Sequence, residues 1–113
     1  MSDEILHSLA TTLEQRKNAD SRESYVAALY AGGDDTILKK IGEEATELIL
    51  AAKGGNDGVM DTTNLVKEMA DLWFHSLVLL THKGLQPSDV LQELESRFGR
   101  SGLDEKAARR KEG

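Results

Sequence analysis

Residues 36–53 read TILKKIGEEATELILAAK, and residues 62–83 read TTNLVKEMADLWFHSLVLLTHK. In both segments the apolar residues recur every three to four positions, the spacing that places them on one face of an α-helix. The intervening residues 54–61 include three glycines, so we predict a pair of helices joined by a loop. No part of the chain alternates apolar and polar residues with a period of two, and the sequence therefore predicts an all-α fold.

Shorter helices are predicted on both sides of this central pair. Apolar residues at helical spacing indicate a first helix over residues 3–18. Ser24 can cap a short second helix, which Gly32-Gly33 would end. Pro87 suits the first turn of a last helix over residues 87–98.

The charge of the chain is unevenly distributed. The 113 residues carry a net charge of −6, but residues 1–96 carry −9 and residues 97–113 carry +3. We predict one domain over residues 1–98, followed by a basic tail over residues 99–113. An acidic body argues against a nucleic-acid partner, and the absence of an apolar run of about 20 residues argues against a membrane protein. The lack of cysteine and the acidic, signal-free N-terminus favour a cytoplasmic location.

Two pairs of carboxylates stand three residues apart on the two long helices: Glu44 with Glu47, and Glu68 with Asp71. Residues at this spacing share a helix face, so antiparallel packing of the helices would bring both pairs to one point, with Glu43 beside them. A cluster of oxygen ligands suits a hard divalent cation, Mg²⁺ or Mn²⁺. Because the second helix is apolar around most of its circumference, its carboxylates need a cation or several hydrogen-bond donors.

These acidic residues belong to a recognisable pattern. Glu43-Glu44-Ala45-Thr46-Glu47 followed by Glu68-Met69-Ala70-Asp71 resembles the E-E-x-x-E … E-x-x-D signature of the MazG-like all-α nucleotide pyrophosphohydrolases. Further segments make the chain similar to one branch, the phosphoribosyl-ATP pyrophosphohydrolase family: Ser24-Tyr25, Lys39-Lys40-Ile41-Gly42, and Gly99 to Lys106. The resemblance covers the chain from Ser24 onward. Val26 departs from it, because the family commonly has threonine there.

The resemblance implies hydrolysis of phosphoribosyl-ATP to phosphoribosyl-AMP and pyrophosphate, the second step of histidine biosynthesis, with Mg²⁺ as cofactor. Hydrolysis of a polyphosphate needs a metal to neutralise oxygen charge and to activate water, which fits the acidic cluster. The implied fold is a MazG-like helical bundle completed by oligomerisation, and the implied partner is a small nucleotide. The residues assigned to the site are the metal ligands Glu44, Glu47, Glu68 and Asp71, the catalytic residues Glu43, Glu44 and Glu47, and the substrate-binding residues Tyr25, Lys40 and Arg100.

Other functions stay open at this point. A housecleaning enzyme of the same superfamily, which hydrolyses dUTP or damaged nucleoside triphosphates, would keep the carboxylates. A di-iron bundle needs Glu-x-x-His on two helices, and the chain offers it once, from Glu4 to His7. A non-enzymatic helical interaction module would explain the apolar helix but not its acidic face. In that case Glu43, Glu44 and Glu47 would form a solvated surface.

The helix over residues 62–83 carries two further expectations. His75 lies one turn after Asp71, so it is expected to orient a carboxylate or to be a buried structural histidine, and Trp73 is expected in the core. A chain of 113 residues has too few helices to cover a helix that is apolar nearly all round. We therefore predict a homodimer or a larger symmetric assembly.

Overall fold

The computed structural model of the chain describes residues 2–55 and 57–99. These residues form four α-helices and contain no strand, so the predicted all-α fold is confirmed. None of the described helices combines the length and the apolar character that crossing a bilayer requires. The elements are α1 (Ser2–Gln15), a 3₁₀ turn (Arg16–Asn18), α2 (Tyr25–Lys53), α3 (Thr62–His82) and α4 (Pro87–Phe98).

A sharp break divides α2 where the sequence predicts a helix end. Gly33 has φ +77° and ψ −165°, a conformation that a residue with a Cβ atom rarely adopts. The helix before the break starts as predicted, because the Ser24 hydroxyl accepts a hydrogen bond from the Ala27 amide (3.2 Å). The first predicted helix, in contrast, is shorter than expected, since α1 ends at Gln15 and a tighter 3₁₀ turn follows.

The central helices α2 and α3 pack antiparallel, as the loop between them requires. Asp34, directly after the break in α2, contacts Lys83 just after α3, whereas Glu44 further along α2 contacts His75 earlier in α3. Asp61 starts α3 by accepting hydrogen bonds from the Thr63 and Asn64 amides. The buried core joins this pair to α1 and contains Leu13, Leu29, Ile37, Leu77 and Val78.

The outer face of α3 is not covered by the other described residues of the chain. Val66 is 68% exposed and Trp73 is 59% exposed, so the expectation that Trp73 lies in the core is wrong for the single chain. The reason is geometric, because α1 and α2 pack on one side of α3 and leave its opposite apolar side open. Val90, Leu91 and Leu94 of α4 carry similar exposed apolar surface.

Asp34 connects the part of α2 after the break at Gly33 to the end of α3 through polar contacts. Its carboxylate accepts a hydrogen bond from Lys83 Nζ (2.6 Å), and its other oxygen lies 3.1 Å from His82 Nε2. The hydrogen bond from Lys83, aided by the charges of Lys83 and His82, holds the pKa of Asp34 below its ordinary value. A lowered folded-state pKa contributes stability above the unfolded pKa of about 3.9, and that stability is lost as the pH falls through the folded pKa.

We therefore expect Asp34→Asn to melt slightly below the wild type at pH 7, and this difference to shrink as the pH falls below about 3.9. Thermal melts followed by circular dichroism across this range measure the difference. Asp35→Asn removes an adjacent exposed carboxylate and serves as the charge-matched control, with an unchanged melting temperature. A difference for Asp34→Asn that stays constant between pH 7 and pH 3 would contradict the assignment.

Candidate active site

The antiparallel pairing of α2 and α3 brings carboxylates from both helices together. One oxygen each from Glu44, Glu68 and Asp71 lie within 4.8 Å of one another. The three-residue spacing explains this arrangement on α3, because Glu68 and Asp71 share one face of the helix. No histidine belongs to this cluster in the described part of the chain, so the di-iron alternative lacks its nitrogen ligands here.

Glu47, the fourth predicted ligand, lies beside this group. Burial raises the pKa of Glu44, and the neighbouring Glu47 carboxylate and the charge of Asp71 raise it further. Burial, followed by the neighbouring Glu47 carboxylate, likewise raises the pKa of Glu68. Glu47 is therefore within interaction distance of a carboxylate on each helix, and the group carries a concentration of negative charge.

Two oxygens of the cluster have no hydrogen-bond partner among residues 2–55 and 57–99. Glu44 is only 8% exposed, and Glu44 Oε2 and Glu68 Oε2 are buried without a hydrogen bond. A buried carboxylate oxygen without a donor is costly, and a cation is the group that would satisfy several such oxygens at once. An all-oxygen donor set fits Mg²⁺ or Mn²⁺ better than a softer metal.

His75 connects the cluster to the start of α2. It is 6% exposed, its Nε2 lies 2.8 Å from the Tyr25 hydroxyl, and its Nδ1 lies 3.0 Å from the backbone oxygen of Asp71. The same Nδ1 is 3.6 Å from Glu44 Oε1. The histidine is thus next to a predicted ligand, while its link to Tyr25 spans 50 residues and had no signal in the sequence.

The other predicted site residues lie further out. Glu43 is exposed, and its Oε2 lies 3.8 Å from Lys40 Nζ. The charge of Lys40 also acts on Glu44, where it opposes the upward pKa shift. Arg100, like the rest of the tail beyond Gly99, falls outside the described residues.

A cavity of about 320 Å³ adjoins the cluster and was not anticipated from the sequence. Glu47 and Glu68 form part of its wall, and further lining residues include Leu50, Val59 and Asn64. Helical spacing is the signal that could have found them, because Leu50 follows Glu47 by three residues and Asn64 precedes Glu68 by four. A larger cavity of about 500 Å³ lies between α1 and the segment after α3, and none of the clustered carboxylates lines it.

Comparison with known proteins adds independent information. The family model described as phosphoribosyl-ATP pyrophosphohydrolase matches residues 6–98. A phosphoribosyl-ATP pyrophosphatase from Methylococcus capsulatus is 60% identical, over 95% of this chain and 97% of that protein. A protein of the same name from Chromobacterium violaceum is 51% identical, over 97% of this chain and 97% of its own length. Another from Burkholderia vietnamiensis is 52% identical, over 97% of this chain and 90% of its own length.

Proposed function

This chain belongs to the phosphoribosyl-ATP pyrophosphohydrolase family, and we propose that it hydrolyses phosphoribosyl-ATP to phosphoribosyl-AMP and pyrophosphate. The reaction breaks the anhydride bond between the α and β phosphates and is the second step of histidine biosynthesis, which we place in the cytoplasm. The observation that carries the proposal in this chain is the cluster of Glu44, Glu68 and Asp71, with its two unpartnered buried oxygens.

The acidic cluster is proposed to hold Mg²⁺. Glu44, Glu68 and Asp71 would provide the nearest ligands, and Glu47 would complete the set from the adjacent turn of α2. When bound, Mg²⁺ supplies charge neutralisation at the phosphate oxygens and lowers the pKa of water.

The chain's own residues have further tasks in this proposal. Glu47 and Glu44 keep the reacting water oriented through their carboxylate oxygens, and the exposed Glu43 assists in orienting it. Lys40, which is half-buried on the same helix, provides a positive charge for a phosphate. Tyr25 and Arg100 are the remaining proposed substrate contacts.

Release of pyrophosphate from the purified protein tests this function. We expect pyrophosphate, and no orthophosphate, from phosphoribosyl-ATP in the presence of Mg²⁺, and no reaction in excess EDTA. dUTP and the common deoxynucleoside triphosphates are the comparison substrates. A higher kcat/KM for any of them would assign the chain to the housecleaning branch, and activity that persists in EDTA would refute the metal site.

We further propose that the active protein is a homodimer or a larger symmetric assembly. The open apolar face of α3, with Val66 and Trp73, and the exposed apolar residues of α4 would be buried by a second copy. The cavity between these helices, about 320 Å³ in volume, is lined mainly by apolar residues such as Leu77, Leu80 and Leu94, which suits association with another apolar surface.

The basic tail is proposed to close over bound substrate. The acidic body repels a polyphosphate, so cations must come from the few available residues, and residues 97–113 carry six of the fourteen lysines and arginines. We expect a chain that ends after Gly99 to show a raised KM for phosphoribosyl-ATP with an unchanged melting temperature. Truncation after Gly99 keeps the hydrogen bond that the Gly99 amide donates to the Glu95 carbonyl at the end of α4.

Ionic strength supplies the control for this deletion. Salt screens phosphate contacts, so kcat/KM of the truncated chain should depend less steeply on salt than that of the full chain. Steady-state kinetics at low and high salt measure both slopes. Wild-type kcat/KM for the truncated chain at low salt would mean that the tail only improves solubility.

A further inference from the structure

The His75 ring is held at both nitrogens. A backbone carbonyl can only accept a hydrogen bond, so the contact of His75 Nδ1 with the Asp71 oxygen places a hydrogen on Nδ1. In the neutral ring Nε2 then carries a lone pair and accepts the hydrogen bond from the Tyr25 hydroxyl, 2.8 Å away. The hydrogen bonds to Asp71 and Tyr25 therefore fix both the tautomer and the orientation of the ring.

Packing restricts the ring further. The Tyr25 and Phe74 rings meet the imidazole edge to face, at centroid distances of 5.9 and 5.3 Å. The ring also packs beside Glu44, whose Oε1 lies 3.6 Å from Nδ1, in contact but beyond hydrogen-bond distance. The other oxygen of the same carboxylate, Oε2, is buried and unpartnered.

We infer that Tyr25 is a positioning residue for Glu44, an inference that rests on the proposed metal site. Its hydroxyl fixes the His75 ring, which packs against Glu44 Oε1 and limits the movement of that carboxylate, so that Oε2 is the oxygen available to a divalent cation. A ligating carboxylate whose second oxygen is confined by a fixed neighbour loses less orientational freedom on binding a metal. The Tyr25 hydroxyl thus acts on the cluster without contacting it.

This role differs from the substrate contact that the sequence predicts for Tyr25. The Tyr25 side chain is 53% exposed, so its ring can still face a nucleotide while its hydroxyl is bound to His75. Tyr25→Phe separates the two roles, because phenylalanine keeps the ring and removes the hydroxyl. Tyr30→Phe is the matched control, since the Tyr30 hydroxyl donates instead to the Leu13 carbonyl, and its ring stacks on His82, seven residues beyond His75.

The primary measurement is the affinity of the full-length protein for Mn²⁺ alone, by calorimetry without nucleotide. We expect Tyr25→Phe to raise the Kd for Mn²⁺ by about tenfold and to lower kcat by a similar factor, as is usual for residues behind metal ligands. KM for phosphoribosyl-ATP should stay unchanged, and Tyr30→Phe should match the wild type in all three values. Wild-type Kd and kcat for Tyr25→Phe would overturn the inference.

A second measurement does not depend on the metal. Nitrogen-15 NMR of the metal-free protein at mildly alkaline pH should show His75 protonated at Nδ1, with the Nε2 resonance shifted in Tyr25→Phe. The chain has three histidines, so assignment by single substitution is practical. A neutral His75 protonated at Nε2 would overturn the inference. If the wild type does not bind Mn²⁺, both the metal site and this role of Tyr25 are wrong. If the wild type binds Mn²⁺ and Tyr25→Phe binds it equally well, only this role is wrong.

Discussion

Glu68→Gln is expected to lower kcat/KM for phosphoribosyl-ATP by roughly 10³-fold or more. The substitution removes an anionic oxygen from a group in which Glu44, Glu68 and Asp71 lie within 4.8 Å of one another. A bound metal contributes several kcal/mol to stabilising charge in a polyphosphate reaction, and each 1.36 kcal/mol corresponds to about a factor of ten in rate. Glu44→Gln, Glu47→Gln and Asp71→Asn are expected to cause losses of the same order.

The same substitutions should not unfold the protein. Burial and the neighbouring Glu47 raise the pKa of both Glu44 and Glu68. A raised folded-state pKa means that the protonated carboxyl contributes stability below the unfolded pKa, and that this contribution is lost as the pH rises through the folded value. In EDTA at pH 7 these carboxylates therefore destabilise the fold, and an uncharged amide relieves the repulsion. We expect Glu44→Gln and Glu68→Gln to melt a few degrees above the wild type under these conditions.

Opposite changes in activity and stability distinguish a metal site from a structural ion cluster. Glu14→Gln is the control, because Glu14 is an exposed α1 residue paired with Lys17, and its loss should change neither property. Added Mg²⁺ should raise the melting temperature of the wild type and have a smaller effect on Glu68→Gln. Near-wild-type activity in any two of the four carboxylate variants would refute the metal assignment.

Helical periodicity was sufficient to predict the framework of this site. The spacing of Glu68 and Asp71 places both on one face of α3, and the loop of eight residues after α2 brings α3 back alongside it. The glycine break in α2 was also predictable, because Gly33 adopts a positive φ that other residues avoid. These features follow from local rules, in which a few neighbouring residues determine the geometry.

Contacts between distant segments could not be predicted in the same way. The Tyr25 hydroxyl reaches His75 across 50 residues, from the part of α2 that precedes the break at Gly33. Asp34 meets Lys83 and His82 only when α2 and α3 take one particular register. The chain has two tyrosines, three histidines and many more charged side chains, and nothing in their spacing selects one partner over another until the helices are packed.

The exposure of Trp73 is informative for a related reason. Periodicity predicts that an apolar residue is covered, but it does not say whether its own chain or another copy covers it. In this chain Trp73 borders an apolar cavity with Leu77 of α3 and Val90 and Leu94 of α4, and it is more than half exposed. A second copy of the chain is the partner that the proposed assembly requires.

Trp73→Glu is therefore expected to convert the assembly into monomers. A buried tryptophan near the centre of an interface is a frequent hot spot, and its replacement by a charge should raise the dimer Kd by roughly 10²-fold or more. Light scattering at micromolar concentration should give the wild type a mass of at least twice 12.4 kDa, the mass of one chain. The variant should have the mass of a single chain. Leu85→Glu is the control, because Leu85 is also exposed but lines the cavity beside α1 instead.

Activity should follow association, because Trp73 lies two residues after Asp71 on the same helix. A monomer would leave one side of α3 in water, and the carboxylates on its other side would be held less rigidly. We expect the specific activity of Trp73→Glu to be low in dilute solution and to rise with protein concentration, while the wild type shows no such dependence over the same range. A wild type that is strictly monomeric and fully active would refute the assembly, and dissociation by Leu85→Glu alone would place the interface on the other face of the molecule.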